Sequence, residues 1–200
     1  MTPERKAKIN RVLNNRQPDL TVVLENVHDP HNISAVMRTC DAVGVQEIYV
    51  LNSQIELHDK FGKKSSASAA GWLTVKQFTD TEACFEEIRQ KYDSVYATHL
   101  GESASSLYEL NLTERVVLVF GNEHSGVSEE TLKYCTGNFI IPQVGMIESL
   151  NISVACAVSL YEAFRQRQVH GFYNGATRLG TEQYEALATL WGLPEETGNG

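Results

Sequence analysis

The sequence predicts an α/β fold: a mostly parallel sheet covered by helices on both faces. Three observations predict it. Runs such as Val116–Phe120 (VVLVF) and Leu20–Leu24 are continuously apolar and rich in β-branched residues, as strands buried on both faces are. Such runs alternate with segments whose apolar residues recur every three or four positions, which is helical spacing. The chain has 200 residues, 42% hydrophobic and 21% charged, enough for one domain with a substantial core and unlike a disordered chain. No internal repeat or low-complexity tract interrupts this pattern.

Each element follows in order. Residues 2–16 form a helical unit, with Thr2 placed to cap and Pro3 in the first turn. Leu20–Leu24 is the first strand. Ile33, Val36, Met37 and Cys40 then recur at helical spacing until Gly44 closes the helix. Glu47–Leu51 is a strand, and Lys60, Lys63 and Lys64 with the small residues up to Gly71 read as a loop. Thr74–Phe78 is a short strand, Thr81–Lys91 a helix and Ser94–Thr98 a strand. Val116–Phe120 is the clearest buried strand, followed by a helix over Ser128–Tyr134 and a strand over Asn138–Ile141. Leu150–Arg167 has apolar residues almost all round, which predicts a long, largely buried helix. Thr181–Trp191 is amphipathic, and the polar tail Thr197–Gly200 reads as disordered. Three units result: a basic N-terminal helical extension (1–18), the α/β domain (19–170) and a C-terminal extension (171–200).

The formal net charge of −8 argues against a protein that coats nucleic acid through bulk charge. The charge is uneven, however. Residues 1–18 carry Arg5, Lys6, Lys8, Arg11 and Arg16 against Glu4, a net +4, which leaves −12 on the remainder. The N-terminus has no apolar core of the kind a secretory signal needs, and the longest apolar stretch, Val154–Leu160, is too short to cross a bilayer. Cys40, Cys84, Cys135 and Cys156 are scattered without a C-x-x-C pair, so they read as free thiols in a reducing compartment. The expectation is a cytoplasmic protein with no membrane partner and no metal.

Three polar segments follow strands, where α/β proteins place ligands. In the first, Asn26–Arg38, the spacing of His28 and His31 resembles a metal site. Pro30 interrupts it and no third ligand is evident, so an exposed histidine pair is the better reading. Asn32 stands at a helix start, where capping is the default role. Arg38 lies at the edge of the packed stripe, as a surface residue or a phosphate anchor. The second segment, Gly121–Ser128, has the glycine frame of a P-loop, but Val127 stands where the phosphate-binding Lys belongs and Glu123 would repel a triphosphate. A glycine-bounded loop that lets a ligand approach the backbone survives, with Asn122 and Glu123 available for polar contacts. In the third segment, Ser149, Leu150 and Asn151 open the long helix, whose free N–H groups suit an anion or carboxylate, and Ser149 is the expected cap. No G-x-G-x-x-G occurs, which argues against a Rossmann-type site.

Taken together, Asn32 with Arg38-Thr-x-Asp41-Ala-x-Gly44, then Val119-Phe120-Gly121-Asn122-Glu123-x-x-Gly126-Val127-Ser128, then Ile141-Pro142 with Glu148-Ser149-Leu150-Asn151-Ile-Ser-x-Ala155, resemble the three signature motifs of the SpoU/TrmH branch of the SPOUT RNA methyltransferases. The motifs occur in order over roughly residues 20–168. The N-terminal stretch through Gly44 is similar to the tRNA guanosine-2′-O-methyltransferases of that branch in particular. The resemblance implies a C-terminal deep trefoil knot, a homodimer with its site at the subunit boundary, and S-adenosylmethionine held by Thr98, His99, Leu100, Gly121, Asn122, Ile141, Met146 and Leu150.

The implied reaction moves the sulfonium methyl to a ribose 2′-hydroxyl of RNA, guanosine 18 in the tRNA D loop above all, with ribosomal RNA as the runner-up. The resemblance assigns proton removal to Arg38. A guanidinium stays protonated in proteins, so Arg38 is read as gripping the target phosphate, the pair orienting and helping to deprotonate the hydroxyl. Asn32, Glu123, Ser149 and Asn151 complete the catalytic set, and His124 has no assigned role. Arg5, Lys6, Lys8, Arg11, Arg16, Lys63 and Lys64 are the candidate RNA contacts, whereas acidic Glu182, Glu185, Glu195 and Glu196 suit the C-terminal extension poorly to phosphate. A non-catalytic RNA-binding module of the same fold is the competing class, against which the full catalytic set speaks.

Overall fold

A computed structural model describes residues 1–58, 69–101 and 103–193. Lys60, Lys63, Lys64 and the tail Thr197–Gly200 lie outside them. Among the described residues seven strands form one sheet: β1 (Leu20–Glu25), β2 (Glu47–Leu51), β3 (Thr74–Phe78), β4 (Ser94–Thr98), β5 (Ser105–Ser106), β6 (Val116–Phe120) and β7 (Gly137–Ile140). Their order is β3-β2-β1-β6-β4-β7-β5, and every pairing is parallel. The helices are α1 (Pro3–Asn14), α2 (Pro30–Ala42), α3 (Thr81–Lys91), α4 (Glu129–Leu132), α5 (Ile152–Val169) and α6 (Thr181–Leu190).

The period-two geometry of strands divides the core in two. Val22, Leu24, Ile48, Val50, Leu118 and Phe120 face α2 and α5, with Ile33, Val36, Met37, Cys40, Cys156 and Leu160 packed against them. Val23, Tyr49, Leu51, Val117 and Val119 face the other way, onto Cys84, Phe85 and Ile88 of α3. The central β1 and β6 are apolar along both faces for this reason. A third cluster joins the two extensions, Ile9 and Leu13 of α1 packing on Leu187 of α6 and on Leu179 and Trp191. Among the described residues, α1 and α6 therefore share one satellite cluster.

Three expectations change. Arg16, expected to meet RNA, is fully buried beneath this satellite. Its guanidinium donates to Val45 O (3.1 Å), Trp72 O (2.9 Å) and Asp41 Oδ1 (2.7 Å), so its charge is committed to the fold. α5 begins at Ile152, and only part of its surface is buried: Val154 and Tyr161 are about half exposed. Its cap is Asn151, whose Oδ1 accepts from Ser153 N at 2.9 Å, and not Ser149.

Candidate functional site

The reversal of strand order places β1 and β6 side by side in mid-sheet, and the loops that leave the carboxyl ends of β1, β4, β6 and β7 converge there. A cavity of about 570 Å3 opens between the loops after β4, β6 and β7. Of the eight predicted cofactor residues it is lined by Thr98, His99, Leu100, Gly121, Asn122, Ile141 and Leu150. Met146 is a correction: it is 97% exposed and absent from the lining. A larger groove of about 1110 Å3 lies between α1 and α6, away from the strand ends, and holds none of the predicted catalytic residues.

Four of the five predicted catalytic residues, Asn32, Glu123, Ser149 and Asn151, meet at the rim. Asp29 caps α2, accepting from His31 N at 2.8 Å, which leaves the Asn32 amide free for long-range bonds. Asn32 Nδ2 donates to Glu123 Oε1 at 2.5 Å, and its Oδ1 accepts from Asn151 Nδ2 at 3.2 Å. One amide thus links the first turn of α2, the 121–126 loop and the cap of α5. Ser149 lines the cavity beside them. Arg38 is exposed farther along α2, outside the lining, and makes no hydrogen bond or ion pair with the described residues. The rings of His28 and His124 approach to 5.9 Å between centroids at the same rim.

The 121–126 loop is a closed turn. Asn122 O accepts from Gly126 N at 3.1 Å, and Asn122 Oδ1 from His124 N and Ser125 N at 2.9 Å each. A Cβ on Gly121 would lie 1.9 Å from the Gly126 carbonyl carbon, and Gly126 itself has φ +69°. The glycines are needed so that the loop can close on itself, a more immediate reason than the approach of a ligand.

Sequence reasoning passes over Glu25, the last residue of β1, which is almost fully buried. Its carboxylate accepts from Ser128 N (2.9 Å), Ser128 Oγ (2.5 Å) and Thr131 Oγ1 (2.8 Å). The available signal is a charge ending an otherwise apolar strand. Next to it, Asn26 adopts the left-handed conformation (φ 49°), accepts from Gln54 N at 2.9 Å and so turns the chain toward α2. Among the described residues no group of three or more His, Cys, Asp or Glu is placed to hold a metal, and no helix is long and apolar enough to cross a membrane.

Comparison with known proteins adds an independent finding. The model of the SpoU rRNA Methylase family matches residues 19–161. The tRNA (guanosine(18)-2′-O)-methyltransferase of Thermus thermophilus is 43% identical over 190 residues, covering 95% of this chain and 96% of that protein. The crystal structure of the A. aeolicus TrmH/SpoU tRNA modifying enzyme superposes with a TM-score of 0.83 at 32% identity, over 94% of both chains. An AdoMet-bound rRNA methyltransferase from Sinorhizobium meliloti superposes with a TM-score of 0.65 at 28% identity, over 78% of this chain and 59% of that one.

Proposed function

The chain belongs to the SpoU methylase family, and from that premise we propose how its residues divide the work. It is an S-adenosylmethionine-dependent RNA ribose 2′-O-methyltransferase, and its substrate is tRNA, at guanosine 18 of the D loop. The residues present fit the cofactor. The cavity of about 570 Å3 lies within the roughly 300–1,000 Å3 usual for small-molecule sites. Ile141, Leu150 and the exposed side chain of Leu100 offer apolar area for a flat ring, while strand ends offer backbone donors and acceptors. When bound, S-adenosylmethionine supplies an electrophilic methyl on sulfur.

This chain's residues then hold the acceptor. Asn32 keeps Glu123 and Asn151 at fixed spacing, so the ribose meets a rigid polar rim, and Ser149 presents a hydroxyl beside it. Arg38, with no partner among the described residues, grips the target phosphate, and the guanidinium–phosphate pair orients the 2′-hydroxyl and helps remove its proton. Acceleration comes chiefly from aligning that oxygen with the methyl. The observation that carries this reading is the Glu123–Asn32–Asn151 chain across the cavity mouth.

Its test is methyl transfer from labelled S-adenosylmethionine to unmodified tRNA and to ribosomal RNA, followed by mapping of the alkali-resistant linkage. A single resistant linkage at guanosine 18 is expected. Transfer to ribosomal RNA alone moves the substrate to the runner-up, and transfer to neither leaves the binding-module reading.

The working unit is a homodimer. Val144, Met146, Ile147 and Leu150 in the loop before α5, with Val154 and Tyr161 on it, form an exposed apolar surface that a second copy of the chain would cover. Arg38 stands clear of the cavity in its own subunit, so a boundary running past the cavity would complete the site. The trefoil knot is part of the same reading. A monomer's mass in sedimentation at micromolar concentration would refute the dimer. Four free cysteines and the substrate class support a cytoplasmic location.

A further inference from the structure

We propose that Glu25 is a positioning residue for the cofactor: buried at the end of β1, its carboxylate fixes the far end of the loop that walls the cavity and carries Glu123. The 121–126 loop is rigid within itself, so its place in the molecule depends on its two ends. Sheet pairing of β6, through Phe120, holds the first. The second is Ser128, and Glu25 takes both its N–H and its hydroxyl, with Thr131 Oγ1 as a third donor. Ser128 Oγ also accepts from Thr131 N at 3.2 Å, which closes the network around one carboxylate. Val127 between them is buried, so the backbone has little room to drift while the clamp holds.

A carboxylate is the costliest group to bury, and an apolar side chain could fill the same space without that cost. What an apolar side chain cannot do is accept three hydrogen bonds from one short segment. Glutamine cannot do so either: it offers a single acceptor oxygen, and its amide nitrogen in the place of Oε2 would face the Ser128 N–H, donor against donor. Loss of the charge therefore frees the loop at one end. The Gly121 and Asn122 wall shifts, and Glu123 is pulled from Asn32.

This proposal rests on the cofactor reading given above, and its test separates the two. Glu25→Gln, Ser128→Ala and the double variant are compared with wild type by calorimetry with S-adenosylmethionine, by KM for that cofactor and kcat on unmodified tRNA, and by thermal melting. Glu25→Gln is expected to raise both the Kd and the KM for S-adenosylmethionine by about tenfold, the size of a lost charge-assisted hydrogen bond. The double variant should bind no worse than Glu25→Gln, because both act through one clamp. A Kd unchanged in folded Glu25→Gln, with activity lost only in step with melting, overturns the proposal and reduces Glu25 to a stabilising residue. Should Glu25→Gln not fold, Ser128→Ala carries the test, since its backbone donor persists, and an unchanged Kd there overturns it equally. Wild-type protein that binds S-adenosylmethionine yet methylates no RNA would refute the enzyme reading while leaving this one to its binding constants.

Discussion

Asn32 acts at long range because Asp29, three residues earlier, takes over the local task of capping. The same exchange of roles explains which residues were legible in the sequence. Asn32, Glu123 and Asn151 are legible because each is polar in a segment that follows a strand, and the structure joins them. Arg16 looked like Arg5 or Arg11 by sequence, but its position under Trp191, whose ring lies 5.2 Å from the guanidinium, depends on a segment that follows it by more than 150 residues. Burial pulls the Arg16 pKa below the usual range, and Asp41 opposes that pull, which is the signature of a charge retained for structure. Arg38 is the opposite case, exposed and without a partner among the described residues. Arg38→Ala should lower kcat on tRNA by at least about a hundredfold, the lower range for losing such a group, while calorimetric binding of S-adenosylmethionine changes by less than about twofold. Full activity in that variant would remove Arg38 from the mechanism.

Elements were legible where periodicity is long and local. β1, β2, β3, α3, β4 and β6 fall on the expected segments. α4 is a single turn instead of the longer helix expected, because Lys133–Cys135 tighten into turns that deliver the chain to β7. The two-residue β5 carries no pattern that a sequence window could register. Along the edge formed by α3, β2 and β3, Lys91 donates to Glu47 at 2.7 Å and to Glu87 at 3.1 Å, and Lys76 also pairs with Glu87. Burial pushes the Glu87 carboxyl up, but the bonds from Lys76 and Lys91 outweigh it and hold the group below its usual range. A carboxylate depressed in the folded state stabilises the protein above the ordinary glutamate value and loses that contribution as pH falls through the lowered one. Glu87→Gln should therefore melt earlier than wild type at pH 7, and the gap between the two melting temperatures should close below about pH 4. A gap that persists at low pH would mean the pair contributes by packing alone.

At the scale of the whole molecule, the net −8 hides a division of labour. α1 sets Ile9 and Leu13 into the satellite and leaves Arg5, Lys6, Lys8 and Arg11 exposed, so the basic face is held against the body and not tethered loosely to it. Replacing those four by Gln should weaken tRNA binding and flatten its dependence on salt by roughly one unit of slope for each phosphate no longer neutralised, with S-adenosylmethionine binding unchanged. Equal loss of both affinities would show that α1 supports the fold of the cofactor cavity instead. The uneven charge was readable from the sequence. That α1 and α6 share one apolar cluster was not, because neither helix says which distant surface completes it.

The sheet order also governs how the protein comes into being. β1 lies against β6, with Leu20 opposite Val116, so the inner edge of the first strand has no partner until more than half the chain has been made. β2 can pair with β1 early on its other side, and β3 with β2, leaving an apolar strand edge open on the nascent chain in the meantime. The bond from Asn151 to Asn32 spans 119 positions and closes later still. Such separation makes folding slow and places the chain in need of protection during synthesis. It also means that a truncated chain ending before Ser149 keeps all seven strands yet lacks Ser149 and Asn151, and with them one side of the rim that would hold a ribose.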